Sequence, residues 1–259
     1  MSLFVAPRRS WVEQIMGMPI SVLARGAEAR SEETAEAVET TFTELRQVDA
    51  KFSTYRADSA VSRINRGELG LADADADVRE VADRCTAARS RTGGLFDANR
   101  PDGTWDPSGL VKGWATERAA RRLATVGVDW CLNAGGDVVV LSPSGEEFAI
   151  GIQDPADPTR VGAVVRRSSG GVATSGSAAR GVHIYDPRTG RMVSGGPASV
   201  TVAGPSLEIA DVLATAAFVA GAGWAGVLAG EPGYAGLAML DGGRVLVTPD
   251  WPPDPASSA

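Results

Sequence analysis

The clearest periodic signal lies between Ser31 and Ala50. Ala35, Val38, Phe42, Leu45 and Val48 recur at helical spacing, so residues 32–50 are expected to form an amphipathic helix. Ser31-Glu32-Glu33-Thr34 reads as its start, because the serine hydroxyl can cap and the acids suit the positive end. Further helices are expected over Val78–Arg91, closed by Gly93-Gly94, over Leu110–Val126 with Gly127 at its end, and over about Ser206–Ala220. Ser59–Arg66 and Trp224–Ala229 read as shorter helical pieces, and Leu69–Asp77 as an acidic loop. Apolar or alternating runs predict strands at Ile15–Ala24, beside the turn-like Met16-Gly17-Met18-Pro19, and at Trp130–Asn133, Val138–Ser142, Glu147–Gln153 and Ala163–Arg167. Val172–Thr174, His183–Tyr185 and Ala198–Ala203 add three more. Leu237–Leu240 and Arg244–Thr248 should pair across Asp241-Gly242-Gly243. The tail from about Pro249 is rich in proline and serine and is expected to be loose. With no internal repeat and no clear linker, residues 1–259 are expected to form one α+β domain.

Composition changes this picture little. Hydrophobic residues make up 44% and charged residues 22% of the chain, as in an ordinary globular protein with a full core. A formal net charge of -7 argues against general affinity for nucleic acid or an anionic membrane. Cys85 and Cys131 have no metal or redox spacing and read as buried thiols. The first residues are too short and polar a stretch for a signal peptide, and no apolar run nears the length of a membrane span. The expected location is therefore cytoplasmic.

Five stretches could carry chemistry, and each has a plainer reading. Val172 to Arg191 holds the single histidine, His183, with Asp186-Pro187-Arg188-Thr189-Gly190 as a closing turn. The plain alternative is a hairpin with an ordinary histidine. Asp211 and Thr215 stand four residues apart, so a carboxylate and a hydroxyl share one helix face and suit Mg²⁺. Alternatively, Asp211 complements the helix dipole and Thr215 bonds back to a carbonyl. Asp106 to Gly113 leads into a helix whose free N–H groups could meet an anion, with Lys112 adding charge; otherwise it is a cap with a solvated lysine. Asn133-Ala134-Gly135-Gly136-Asp137 is either a tight turn or a close approach to a ligand. In Phe52-Ser53-Thr54-Tyr55-Arg56, an aromatic could stack on a flat ring or simply pack in the core.

Together these stretches resemble one family, the FAD:protein FMN transferases, or ApbE-type flavin transferases. The marks in chain order are Met16-Gly17, Phe52 to Arg56, Ser62-Arg63-Ile64-Asn65, Gly93-Gly94-Leu95-Phe96-Asp97, Asp106 to Gly113 and Asn133 to Asp137. Val172 to Gly176, His183 to Gly190, and Ala210-Asp211 through Thr215-Ala216 complete the set, which spans roughly residues 12–222.

The resemblance implies a T-fold-like α+β protein, an antiparallel sheet packed with helices, that binds FAD and Mg²⁺. It implies transfer of FMN, through its phosphate, onto a threonine hydroxyl of an acceptor flavoprotein, with release of AMP. Flavin contacts would fall on Met16, Tyr55, Leu95, Phe96, Asp97, Asp106, Lys112 and Ile184. Metal ligands would fall on Asp211, Thr215 and the carbonyl of Gly109. His183 would act as base or phosphate-orienting group, with Asp186 orienting it or serving instead. The chain departs from the family pattern at Met18-Pro19, Trp114 and Tyr185, and only eight residues separate Asp97 from Asp106. The family's acceptor pattern is not found here, so the expected target is a separate protein. The rival readings are an Mg²⁺-dependent FAD pyrophosphatase yielding FMN and AMP, and a non-catalytic FAD carrier.

Overall fold

A computed structural model gives the architecture and describes residues 6–176 and 184–252. In chain order the strands and helices are β1 (Arg8–Ile15), β2 (Met18–Arg25), α1 (Glu32–Phe52), α2 (Ala60–Asn65), α3 (Ala76–Arg91) and α4 (Ser108–Ala120). Then come β3 (Asp129–Ala134), β4 (Asp137–Leu141), β5 (Phe148–Asp154), β6 (Asp157–Arg167), β7 (Ser169–Gly176), β8 (Tyr185–Asp186) and β9 (Arg191–Met192). The last are β10 (Ser199–Gly204), α5 (Leu207–Val219), α6 (Trp224–Leu228), β11 (Ala235–Met239) and β12 (Val245–Val247). Eight strands form one sheet in the order β1-β2-β3-β4-β7-β10-β11-β12, antiparallel at each pairing. The expected α+β class with an antiparallel sheet packed by helices is what the chain adopts.

Strand alternation sorts the core into two layers. Val139, Ala173 and Ala238 face the helices, where Ile20, Val22, Leu132, Val200 and Val202 meet Val38, Phe42 and Leu45 of α1 and Leu213 of α5. Their sequence neighbours Val138, Val140, Val172, Leu237 and Met239 face the other way, onto Phe148, Ile150, Ile152 and Val165 of the β5–β6 ribbon. The periodic stretch behaves as expected: Ser31 Oγ accepts the Thr34 N–H at 3.1 Å, and α1 runs two residues past its expected end.

Several expectations are corrected. The sheet begins with β1, which the apolar pattern does not reveal; this edge strand is mostly exposed and polar, and pairing with β2 holds it extended. Residues 16–17 form the turn between them. The helix expected from Leu110 starts at Ser108, where the Asp106 carboxylate accepts the Ser108 N–H at 3.1 Å. It ends at Ala120, well before Val126. Val172–Thr174 does not pair with the Tyr185 run among the described residues. It lies inside β7 between β4 and β10, while Tyr185-Asp186 pairs with Arg191-Met192. The Asp186–Gly190 turn closes as expected, with the Gly190 N–H donating to the Asp186 carbonyl at 2.8 Å. No helix among the described residues is long and apolar enough to cross a membrane.

Helix α5 sits unusually deep, since its buried face includes Leu207, Ala210, Val212, Leu213, Ala214, Ala216 and Ala217. Two glycines permit this. A Cβ on Gly171 of β7 would lie 2.4 Å from Leu207 Cα, and one on Gly113 of α4 would lie 3.0 Å from Glu208 Cα. Because the obstacle at Gly171 is backbone, Gly171→Ala should destabilise by about 3 kcal/mol. Gly226→Ala in α6, where nothing lies within 4 Å, should be neutral or stabilise by up to about 1 kcal/mol. Urea unfolding of the two variants checks both. Burial, chiefly, pushes the Cys85 thiol up to about 12 and the Cys131 thiol up to about 11. Neither should react with a disulfide reagent at pH 8 in the folded protein, and both should react in denaturant.

Candidate functional site

The helix-facing side of the sheet changes character at one end. Continuing the alternation one step beyond Val139 gives Asp137, and one step beyond Ala173 gives Ser175. The apolar face thus ends in a carboxylate and a hydroxyl. Two tight turns lie at this same end. Gly135-Gly136 joins β3 to β4, and Met16-Gly17 joins β1 to β2. Both residues of the second turn have positive φ, 56° at Met16 and 71° at Gly17, as a two-residue hairpin with the native strand twist requires. A methionine with positive φ carries strain of the kind that gathers at functional sites.

Above this end lie α4 and α5. Lys112 Nζ forms an ion pair with Asp137 Oδ2 and lies 3.7 Å from Asp211 Oδ1. The two carboxylate side chains are 2% and 3% exposed, and that of Lys112 is 21% exposed. The second Asp137 oxygen accepts the Thr174 N–H at 3.0 Å, which anchors the carboxylate to β7. One turn beyond Asp211, the Thr215 hydroxyl meets Ser175 Oγ at 3.0 Å, so it bonds across to the sheet. Lys112 is therefore not the solvated lysine of the plain reading.

These side chains offer hard oxygen donors: two buried carboxylates and two hydroxyls. No group of three or more His, Cys, Asp or Glu residues that could hold a metal is found among the described residues. Magnesium is the divalent ion that such a sparse oxygen set suits, since it takes one or two carboxylates and completes its shell with water and phosphate. The residues present fit that ion. Gly109, whose carbonyl is the third expected donor, lies in the first turn of α4 against the Phe96 ring.

A second group of expected residues gathers at the start of α4. Phe96 is buried, and its N–H donates to Thr92 Oγ1 at 3.1 Å. Leu95 beside it is partly buried. Asp97 pairs with Arg89 at 2.7 Å and Asp106 with Arg100 at 3.5 Å. The β8–β9 hairpin leans on this segment: Gly190 lies near Pro101 and Arg188 near Gly94. Ile184 packs partly buried against the main core. Burial raises the Tyr185 hydroxyl above its ordinary range; Arg100 opposes the shift, while Asp106 and Asp97 add to it. Tyr55 stands apart, 98% exposed, so Phe52 alone takes the core role, edge-on to Trp114 at 5.6 Å between ring centres.

Two expected catalytic residues stand differently. His183 lies outside the described residues. Asp186 is engaged in its own turn, accepting the Arg188 N–H at 2.9 Å and both guanidinium contacts at 2.9 and 2.8 Å. Those bonds hold its carboxyl below the usual range, which makes it a poor proton acceptor. Sequence reasoning gave no role to Asp137 or Asn65. The Asn65 amide doubles the backbone of Trp105, accepting its N–H at 2.8 Å and donating to its carbonyl at 2.9 Å, and so pins the segment leading to Asp106. The signal for Asp137 was its place directly after two turn glycines.

The buried ion pair makes a prediction. Lys112→Met should destabilise the protein by about 1–3 kcal/mol, less than a fully buried pair because the lysine is partly exposed. Adding Asp137→Asn should recover part of the loss, with a coupling energy of at least about 1 kcal/mol in a urea-denaturation cycle.

The ApbE family profile matches residues 16–101 and 98–237. A FAD:protein FMN transferase of Rhodobacter capsulatus is 35% identical over 170 residues, covering 61% of this chain but 32% of that protein. Another from Vibrio cholerae is 26% identical over 237 residues, covering 68% of this chain and 71% of its own. The match thus spans about a third of the Rhodobacter protein. Among solved structures, an ApbE protein of Thermotoga maritima superposes with a TM-score of 0.81 at 23% identity, covering 94% of this chain and 97% of that one. The flavin transferase ApbE of Vibrio cholerae gives 0.75 at 22% identity, covering 94% and 98%. These two likenesses speak for the fold, and the family profile, which spans most of the chain, for descent: the chain belongs to the ApbE family.

Proposed function

We propose that this chain is an FAD:protein FMN transferase, which moves FMN from FAD to a threonine hydroxyl of a separate acceptor protein. The observation that carries the reading is the Lys112–Asp137–Asp211 cluster with Thr215 at the polar end of the sheet, with Gly109 of the same α4 against the Phe96 ring. Membership of a family whose named relatives are FAD:protein FMN transferases supports it.

In this reading Asp211, Thr215 and the Gly109 carbonyl would hold magnesium, which when bound would supply charge neutralisation at the pyrophosphate and for the departing AMP. Lys112 offers its ammonium to the phosphates. Met16, Tyr55, Leu95, Phe96, Asp97, Asp106 and Ile184 contact the flavin nucleotide. The acceptor threonine oxygen attacks the FMN phosphorus. One P–O bond forms, the pyrophosphate P–O bond breaks, and AMP leaves with the bonding pair. The hydroxyl proton must go to a base, and His183 takes that role, since the Asp186 carboxylate is committed to Arg188.

Co-expression with a candidate acceptor, followed by mass spectrometry, should find one added FMN on a threonine and one AMP released for each. Asp211→Ala should abolish both. His183→Ala should lower transfer by at least about 100-fold. Asp186→Asn should lower it much less, and an equal loss in the two would restore Asp186 as a chemical participant. Free FMN with AMP would make the protein a pyrophosphatase, and FAD bound without any AMP would make it a carrier.

A further inference from the structure

The inference rests on the transferase reading and concerns how the cation site is filled before substrate arrives. Lys112 Nζ bridges the first residue of β4 and the carboxylate of α5, in ion-pair contact with Asp137 and 3.7 Å from Asp211 Oδ1. A magnesium ion sits about 2.0–2.1 Å from its ligand oxygens. A dication on Asp211 and the ammonium in its present place would therefore be close neighbours, and like charges so placed in a poorly hydrated site repel strongly. One of the two must yield. The carboxylates are fixed, Asp137 by the Thr174 N–H and Asp211 by the helix seated against Gly113. The lysine has a flexible four-carbon stem and the greatest exposure of the three.

We propose that Lys112 is a displaceable counter-ion: it neutralises Asp137 and Asp211 in the substrate-free protein, and a divalent cation drives it off Asp211. The anionic phosphates of the dinucleotide then give the displaced ammonium its new partner. Cation and dinucleotide therefore favour each other's binding, one taking the carboxylate and the other the lysine. Asp137, which keeps hold of the lysine stem's end from β4, sets the direction in which the ammonium moves.

The test measures Mn²⁺ binding, as a paramagnetic stand-in for Mg²⁺, to the FAD-free protein by electron paramagnetic resonance. Lys112→Met should bind Mn²⁺ at least tenfold more tightly than the wild type, and Mg²⁺ should raise its melting temperature by more. Lys112→Gln gives the same comparison if the methionine variant folds poorly. Lys112→Arg, which keeps the charge, should stay within about threefold of the wild type. If the neutral variants bind Mn²⁺ no more tightly while Asp211→Asn still abolishes binding, the metal site stands and the displacement idea falls. If Asp211→Asn leaves Mn²⁺ binding unchanged, both the cation assignment and this proposal fall.

Discussion

The seat of α5 is the constraint on which the rest depends. Leu207 occupies space that any side chain on Gly171 would need, and Glu208 and Asp211 press on Gly113 from the other side. Only a helix of small and aliphatic residues can be held so closely between a sheet and a second helix, and α5 is nearly apolar all round. Glu208, Asp211 and Thr215 are the exceptions, and the depth of the helix makes the Asp211 carboxylate costly. A buried carboxylate needs a charge partner, and the tight α4–α5 contact brings Lys112 to it. The start of α5 is fixed from the same helix. Glu117 of α4 accepts the Ser206 hydroxyl at 2.7 Å and the Glu208 N–H at 3.0 Å. One helix thus sets both the position of α5 and the charge that makes Asp211 tolerable.

The sheet supplies the other half by a simple rule of parity. A strand that sends every second residue to the helices will send a polar residue there if the apolar pattern stops one step short. Val139 to Asp137 and Ala173 to Ser175 are two such steps on neighbouring strands. The site is built where two apolar faces run out together, and it needs no loop to carry its acidic residues. That explains how a carboxylate 2% exposed can be both part of the core's edge and part of a chemical cluster.

Much of this was legible in the sequence, and the limits follow from range. Helix α1 announced itself because its apolar spacing and its Ser31 cap are local. The Asp186–Gly190 turn did so for the same reason. Strand β1 did not, because an exposed edge strand has no apolar alternation to show; pairing with β2 makes it. The partners of β7 were equally hidden, since residues 172–174 look as ready to pair with a near run as with β4 and β10. Lys112 could be read as solvated because its carboxylate partners are 25 and 99 positions away in the chain. The marks that carried the family resemblance succeeded where local physics was ambiguous, since they fixed the residue types without saying which would touch.

The remaining division is between a rigid floor and an adjustable rim. The floor is carboxylate and hydroxyl on packed elements, held by partners on the sheet, with the flexible Lys112 side chain between the two carboxylates. The rim is made of turns: the segment around Phe96, pinned through Asn65 and Trp105, and the β8–β9 hairpin resting on Gly94 and Pro101. The proposed phosphoryl transfer would need the floor's precision, because misplacing charge by about 1 Å can cost two orders of magnitude in rate. A flat ring demands less, only apolar area at the right height. Tyr55, with nearly all its surface in water, has that area still to bury, and its burial would contribute only when a ligand covers it.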